Sequence, residues 1–282
     1  MYEKRPIGIQ HKYFLYKFCA LVFLRAQERG YTFKLGSKVK GFGEFNDVFV
    51  EYCLDDNSRV KHIFVQLKSK TTKDVTKPYR ITMKQMLKGK GDFNLRTYYK
   101  SYIQIQERFD SIEGVKLEVC TDESLFIIYT NADVEGKLKS DRDTDIGGAE
   151  FLMTGGSVLQ FNEEKHPIIY QHLQELPRHR EFLSRFRIFY RQANEEEMEW
   201  HIKRELQQYL RELRVLDSEL EVAYMYFRDF VTDWCQNSDW FLKDNNPSDK
   251  DPLQKTSEKL INLRNNIILD WTSSLSNTNS PQ

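Results

Sequence analysis

The chain has 282 residues, of which 40% are hydrophobic and 30% charged, and its acidic and basic residues balance to a formal net charge of zero. A chain of this length can bury a sizeable core and form one large domain or two smaller ones. The composition excludes a disordered protein and describes an ordinary soluble globular one.

The N-terminus and the cysteines bear on cellular location. The first 13 residues lack the apolar core of a signal peptide, and the apolar run at 13–26 contains Lys17 and Arg25 and is too short to span a bilayer. The four cysteines are far apart in sequence and fit no metal-ligand spacing. We therefore expect a soluble intracellular protein, cytoplasmic or nuclear, with reduced thiols and no membrane partner.

The first 135 residues mix helical and strand patterns. Residues 11–30 are apolar nearly all round, which predicts a largely buried helix ending at Gly30. Three segments rich in Val, Phe and Tyr then predict strands: "YTFKLGSKV", "FNDVFVEYCL" and "RVKHIFVQLKSK". Residues 81–110 predict helices at "MKQML" and "YYKSYIQIQERF", after which "VKLEVC" and "SLFIIYTN" return to strand. The order predicts an α/β fold with a mixed sheet flanked by helices.

The pattern changes near residue 165. Residues 135–165 are rich in Gly and Asp and hold one short strand pattern, "SVLQF". Helical patterns follow at "REFLSRFRIFYRQ", at 195–213, at about 217–236 and at about 256–275. We therefore predict a core domain at 1–165, an α-helical C-terminal region at 166–275 and a disordered tail at 276–282.

The second and third predicted strands pair as a hairpin with polar residues on one face. If 55–58 form the connection, opposed residues have numbers that sum to 113, so Asp47 lies across from Gln66. A side-chain period of two places Asp47, Gln66 and Lys68 on one face, and leaves an apolar face of Val, Ile and Leu on the other. Opposed Cβ atoms lie about 4.5–5.5 Å apart, so the Asp47 carboxylate and the Gln66 carbonyl oxygen can converge.

Such oxygen atoms are the ligands that Mg²⁺ prefers, with Mn²⁺ as a substitute. Lys68, one strand repeat beyond Gln66, can hold or activate a water molecule beside the metal. The arrangement predicts metal-assisted phosphodiester hydrolysis, with Asp47 and Gln66 as the metal ligands and Asp47, Gln66 and Lys68 as the catalytic residues.

The charge is unevenly distributed despite its balance. Between Arg59 and Lys100 there are twelve basic residues and only two acids, Asp74 and Asp92. Such a local excess is typical of a phosphate-binding surface, although a solvated lysine-rich surface is an equal alternative on charge alone. The residues that we assign to nucleic-acid contact are Lys70, Lys73, Lys77, Arg80, Lys84, Lys88 and Lys90.

The spacing of "EFNDV" at 44–48 and "QLK" at 66–68 resembles the PD-(D/E)XK nucleases, and in particular the subgroup whose second motif is Gln-x-Lys. "FIIYTNADVEG" and "FLSRFRIFYRQANEEEMEWHIKREL" are also similar to that subgroup, which includes double-strand DNA nuclease domains of anti-phage effectors and of some NACHT-type ATPases. The resemblance covers roughly residues 10–215. It implies a restriction-endonuclease-like fold, Mg²⁺-dependent cleavage of double-stranded DNA, and a homodimer or larger assembly formed through the helical C-terminal region.

The sequence departs from the commonest family pattern. Gln66 replaces the usual acid, and Asn46 replaces the Pro of the motif. A third acid often comes from the first helix in this family. Glu28 and Glu44 are candidates for it here, although a solvated surface carboxylate is the preferred interpretation of both.

Two functions are open at this point. The first is an active endonuclease of the kind found in defence systems. The second is a nuclease-fold module with weak or lost catalysis that binds nucleic acid or a protein partner. Glu51 and His62 also face each other in the predicted hairpin, and a cross-strand pair without a catalytic role explains them.

Overall fold

The computed structural model describes residues 7–53, 59–70, 78–88, 91–110, 124–139, 146–213 and 216–237, and the structural statements below concern this part of the chain. Its helices are α1 (Ile7–Glu28), α2 (Met83–Leu87), α3 (Leu95–Asp110), α4 (Pro167–Leu173), α5 (His179–Arg185), α6 (Glu195–Tyr209) and α7 (Asp217–Asn237). Its strands are β1 (Thr32–Ser37), β2 (Val48–Cys53), β3 (Lys61–Lys68), β4 (Arg80–Ile81), β5 (Leu125–Thr130), β6 (Asp133–Val134), β7 (Ser157–Gln160) and β8 (Phe186–Tyr190).

The central feature is a six-stranded mixed sheet with the strand order β1-β2-β3-β5-β8-β7. Strands β1, β2 and β3 are antiparallel neighbours, β3, β5 and β8 are parallel, and β7 is antiparallel to β8. Strands β4 and β6 form a separate parallel pair. Helices flank the sheet and a helical region follows it, so the predicted α/β class is confirmed.

The β2–β3 register is the one predicted from the length of the connection. Val48 pairs with Val65, Phe49 with Phe64, and the remaining pairs follow in the same register. The predicted connection at 55–58 lies outside the described residues. Because the register is set by the alternation of side chains between two buried faces, a shift by one residue would exchange the two faces completely.

Both faces of the β2–β3 hairpin are covered, which corrects the prediction of one apolar face and one polar face. Phe49 and Phe64 lie on the same face as Asp47 and are fully buried in a core that includes Tyr98 and Tyr102 of α3. The apolar face of the sheet packs against α1, where Phe18 stacks edge-on against Tyr129 of β5 at 4.7 Å between ring centroids. The polar residues therefore occupy one end of a buried face, at the edge of the sheet where β3 and β5 end.

One predicted helix is wrong. The pattern "REFLSRFRIFYRQ" forms a helix only up to Arg185, after which Phe186–Tyr190 is the strand β8. All five residues of β8 are buried, and the strand pairs with β5 on one side and with β7 on the other. Short apolar runs have no period that separates a buried strand from a buried helix, and here pairing on both sides favours the strand.

The structure divides the chain differently from the predicted boundary at 165. The sheet includes β8, which lies beyond residue 165, and the chain separates into two compact units, Met1–Glu199 and Trp200–Gln282. Strand β7 forms at the predicted "SVLQF". The predicted strand "VKLEVC", the helix at about 256–275 and the tail at 276–282 lie outside the described residues.

The described part of the second unit is helical. Lys203 of α6 pairs with Glu221 of α7 at 2.8 Å, and the same ammonium lies 4.9 Å from the ring centroid of Tyr224. Ala223, Phe227 and Val231 form a buried stripe on α7. None of the described helices combines the length and the apolar composition that a bilayer span requires.

Candidate active site

Asp47 is the most deeply buried acid of the predicted site, with only 1% of the residue exposed, and four groups contact its carboxylate. The main-chain N–H of Leu67 donates to Oδ2 at 2.9 Å, and the side-chain amide of Gln66 donates to the same oxygen. Nε2 of His11 lies 3.2 Å from Oδ1, and the Lys38 ammonium pairs with Oδ1. A buried carboxylate needs such partners, because burial without them would strongly disfavour its charge.

The partners of Asp47 keep it ionised. Burial alone would raise the pKa of this carboxyl, but the hydrogen bond with His11 and the charge and hydrogen bond of Lys38 together outweigh it. The pKa of Asp47 therefore lies below its ordinary value. The Asp47 carboxylate is therefore ionised at neutral pH.

Gln66 and Asp47 are in contact, as the register requires, but the amide turns its nitrogen to the carboxylate. Nε2 of Gln66 donates to Asp47 and also to the carbonyl oxygen of Leu67, at 3.3 Å for the second bond. An amide N–H satisfies a carboxylate, whereas two oxygens would repel each other unless a cation lay between them. A half-turn of the amide exchanges Nε2 with Oε1, so Gln66 can offer an oxygen ligand at the same place.

Lys68 lies between two carboxylates at the same edge of the sheet. Its ammonium is 3.5 Å from Oδ1 of Asp92 and 3.7 Å from Oε2 of Glu44. Lys70, two residues further, pairs with Oδ2 of Asp92. The predicted residues Asp47, Gln66 and Lys68 therefore lie together at the end of β3, and Asp92 joins them from a separate segment.

The main chain that carries Lys68 and Lys70 is fixed by the end of β5. The Thr130 hydroxyl donates to the carbonyl oxygen of Lys68 at 2.6 Å. The Asn131 side chain accepts from the N–H of Lys70 at 2.7 Å and donates to its carbonyl oxygen at 2.8 Å. Asn131 thus continues the hydrogen-bond ladder with a side chain, and the two lysines leave the sheet in a defined direction.

Helix α3 holds the main chain of the segments that carry Glu44 and Asp92. The hydroxyl oxygen of Ser101 accepts from the N–H of Glu44 at 2.9 Å, and the Tyr98 hydroxyl donates to the carbonyl oxygen of Asp92 at 2.6 Å. Gly43 has a φ of +56°, and a Cβ there would lie 2.3 Å from the Ser101 hydroxyl oxygen. Only glycine fits this close approach without strain.

The acids considered as a third ligand lie in different places. Glu28 ends α1, whereas His11, near the start of the same helix, contacts Asp47. Seventeen residues of helix separate them by about 25 Å, so Glu28 is far from the site. Glu44 lies at the site through its contact with Lys68, and its side chain is half exposed.

The predicted basic surface is described in part. Arg80, Lys84 and Lys88 are exposed. Lys73, Lys77 and Lys90 lie outside the described residues. Lys70, which we assigned to phosphate contact, pairs with Asp92. Its ammonium also lies 5.7 Å and 5.8 Å from the ring centroids of Tyr79 and Phe93, so the segment that carries the three exposed residues begins and ends beside Lys70.

Glu51 and His62 form the expected cross-strand pair, with Nε2 of His62 3.4 Å from Oε2 of Glu51. The hydrogen bond with His62 has the largest effect on the pKa of Glu51 and lowers it. Burial raises this pKa and Lys34 lowers it further, so that the pKa of Glu51 falls to about 2. The pair explains both residues without a catalytic role.

Three residues of the site were missed by the analysis of the sequence. Lys38 directly follows β1, and the β1–β2 register places it across from Asp47 once both strand ends are known. Asp92 is one of only two acids between Arg59 and Lys100, and an acid that stands among so many basic residues is a candidate for pairing with one of them. His11 has no comparable signal, since only the packing of α1 on the sheet brings it to Asp47.

The donor set suits a hard divalent cation in charge and atom type. Asp47 supplies an ionised carboxylate and Gln66 an amide oxygen, and Mg²⁺ in proteins takes few protein ligands beside water and substrate phosphate. In the described part of the chain, no three His, Cys, Asp or Glu residues come together in a way that could hold a metal ion. Comparison of the chain with protein-family models gave no match, and neither did comparison with curated proteins.

Proposed function

We propose that the chain is a Mg²⁺-dependent endonuclease that hydrolyses phosphodiester bonds of double-stranded DNA. The observation that carries the proposal is the contact of Asp47 with Gln66 beside Lys68, at one edge of the sheet. The six-stranded mixed sheet agrees with the fold that the resemblance to the PD-(D/E)XK nucleases implies. A role as a defence-type effector and an assembly of two or more copies are parts of the same proposal.

In this proposal each residue has a distinct role. Asp47, kept ionised by its surroundings, and the Gln66 amide oxygen would hold the metal ion. A bound Mg²⁺ supplies charge stabilisation for the phosphate and a more acidic water molecule. The Lys68 ammonium orients the attacking water and stabilises the negative charge on the phosphate oxygens. The attacking water loses a proton to solvent as its oxygen forms a bond to phosphorus, the bond to the leaving oxygen breaks, and that oxygen takes up a proton from solvent.

The exposed basic residues support a polyanionic substrate. Arg80, Lys84 and Lys88 lie on a segment that adjoins Lys70 at both ends. Contacts of such residues with phosphates are independent of base sequence. They would bring duplex DNA to the site without selecting a sequence.

A second function is a nuclease-fold module that binds nucleic acid or a protein partner with little or no catalysis. The observation in its favour is that Lys38 and His11 already contact Oδ1 of Asp47. An ammonium there neutralises the carboxylate that a metal ion needs. The two functions differ in metal-dependent turnover and agree in salt-sensitive DNA binding.

Incubation with supercoiled plasmid DNA, with Mg²⁺ and with EDTA, tests the proposal. We expect nicked and linear products only with Mg²⁺, and none from the Lys68→Ala variant. Lys61→Ala is the matched control, because Lys61 begins the strand that Lys68 ends. Cleavage by Lys68→Ala at the parent rate would show that the assigned site is wrong, whereas DNA binding without cleavage by the parent protein would favour the binding module.

A further inference from the structure

Asp92 bridges two lysines with its two carboxylate oxygens. Oδ1 lies 3.5 Å from the Lys68 ammonium, and Oδ2 pairs with the Lys70 ammonium. The pKa of Asp92 is lowered by the hydrogen bond from Lys70, which outweighs burial with the help of the charges of both lysines. The carboxylate offers one oxygen to each ammonium group, and a phosphate group in the same place could contact the two ammonium groups in the same way.

The main chain of both lysines is held in place independently of Asp92, and the Lys68 ammonium has a second contact with Glu44 at 3.7 Å. Thr130 and Asn131 fix their main chain, and the rings of Tyr79 and Phe93 lie beside the Lys70 ammonium. Their side chains are only 16% and 21% exposed, so neither lysine is an ordinary solvated surface charge. An anion that reached them would meet two positioned cations.

The Asp92 carboxylate, by contrast, is free to leave. Its side chain is 46% exposed, and its main-chain carbonyl is tied to the Tyr98 hydroxyl. Rotation about the Cα–Cβ bond would therefore move the carboxylate into solvent while the main chain stays in place. Because the carboxylate itself is half exposed, water can solvate it once it has rotated away, so a second anion can take its place at the two lysines.

We propose that Lys68 and Lys70 form a binding site for one phosphate group of the nucleic acid, and that Asp92 is an internal competitor that the phosphate displaces. The inference rests on the proposed function, because the phosphate belongs to the same substrate. Duplex DNA displaces the carboxylate more readily than a single small anion does, because its other phosphates contact the protein at the same time. The site thereby favours polymers over free phosphate.

The test compares the Asp92→Asn variant with the parent protein in EDTA, so that no turnover occurs. The first probe is a fluorescent duplex of about 20 base pairs, long enough for its phosphates to contact both the two lysines and the segment that carries Arg80, Lys84 and Lys88. Its binding is measured by fluorescence anisotropy at fixed salt. The second probe is inorganic phosphate, and its binding is measured by the shift in thermal unfolding. Removing the competitor should tighten duplex binding by about three- to tenfold. Glu163→Gln is the matched control, because Glu163 is 45% exposed and likewise pairs with a cation, Arg180, and we expect no change from it.

The outcomes separate a competitor from a structural clamp. If Asp92 only positioned the lysines, Asp92→Asn would bind the duplex equally or less tightly, and that result overturns the inference. Adding Lys70→Gln to Asp92→Asn should abolish the gain, and a gain that persists would place the phosphate elsewhere. A gain for inorganic phosphate without one for the duplex would overturn the assignment to nucleic acid.

The proposed function and this inference fail in different experiments. A parent protein that leaves plasmid intact with Mg²⁺ contradicts the nuclease and leaves the phosphate site standing. Unchanged duplex binding by Asp92→Asn contradicts the phosphate site and leaves the nuclease standing. Circular dichroism of each variant confirms that the fold is retained.

Discussion

Lys38 contacts Asp47 through both its main chain and its side chain. The N–H of Lys38 donates to the carbonyl oxygen of Asp47 at 3.0 Å, and its ammonium pairs with the buried carboxylate. The φ angle of Lys38 is +52°, in the left-handed region that costs free energy for a residue with a Cβ. This strained lysine places a cation on the carboxylate that would hold a divalent metal ion, so the two cations compete for the charge of Asp47.

Replacing Lys38 with Met should make the stability of the protein depend on metal. In EDTA the buried Asp47 carboxylate loses its cationic partner, and we expect the free energy of unfolding to fall by roughly 1–3 kcal/mol, less than for a fully buried pair because Lys38 is half exposed. In Mn²⁺ the difference in the free energy of unfolding between the variant and the parent should become smaller, because Mn²⁺ bound to the native state stabilises it. Thermal unfolding with and without Mn²⁺ measures both effects.

Lys40→Met is the control for that experiment, since Lys40 is exposed and lies in the same loop. It should change neither stability nor the response to Mn²⁺. An equal loss for Lys38→Met in EDTA and in Mn²⁺ would mean that the cation does not bind at Asp47.

Substitutions of Asp47 and Gln66 should separate the charge of the site from its shape. Asp47→Asn keeps the shape but removes the carboxylate, so Mg²⁺-dependent cleavage should fall by orders of magnitude, with partial recovery in Mn²⁺. Gln66→Glu sets a second carboxylate against Asp47 in place of a hydrogen-bond donor. We expect it to lower stability in EDTA and to retain more activity with Mg²⁺ than Asp47→Asn does. A fully active Asp47→Asn protein would show that the metal ion binds at another site.

Reversing the charge of Arg80, Lys84 and Lys88 together should weaken DNA binding for all sequences. Each neutralised phosphate adds about −0.9 to the slope of log affinity against log salt, so the slope should become shallower by about that amount for each phosphate that the variant no longer neutralises. The melting temperature should hardly change, because solvated charges contribute little to stability. A salt titration of duplex binding measures the slope, and an unchanged slope would show that DNA contacts another surface.

Glu51 should make part of the stability depend on pH. Its pKa is about 2 in the folded protein and near 4.5 in the unfolded chain. Its ionised form therefore stabilises the fold fully above about pH 4.5, and this contribution is lost as the pH falls toward 2. Glu51→Gln should cost roughly 1–3 kcal/mol at neutral pH, and the difference from the parent should shrink as the pH falls from about 4.5 toward 2. Urea unfolding at several pH values measures the free energy of unfolding of both proteins. A difference between them that stayed constant with pH would show that ionisation of the Glu51 carboxylate does not cause it.

The hairpin could be predicted from the sequence because its information is local. The length of the polar connection and the alternation of side chains fix the β2–β3 register, and the register alone brings Gln66 to Asp47. Strand β8 could not be predicted in this way. Its residues are buried on both faces, including the charged Arg187, so no alternation of apolar and polar residues marks it as a strand, and its position between two other strands decides its conformation.

The remainder of the site depends on contacts between segments that are distant in sequence. His11 reaches Asp47 from a helix 36 residues earlier, and Asp92 reaches Lys70 from 22 residues later. No local pattern encodes such distances. The sequence did mark the basic stretch in which Asp92 stands, but its few acids had no assigned partner until the fold placed them beside Lys68 and Lys70.

Helix α3 fixes the spacing of the two loops that carry the carboxylates beside Lys68, through hydrogen bonds of Ser101 and Tyr98. The main chains of Glu44 and Asp92 are fastened to the same helix, one turn apart, at 2.9 Å and 2.6 Å. A group that enters between these two carboxylates can spread the loops only by breaking one of these two hydrogen bonds. Access to Lys68 therefore depends first on rotation of the Glu44 and Asp92 side chains, which are 44% and 46% exposed.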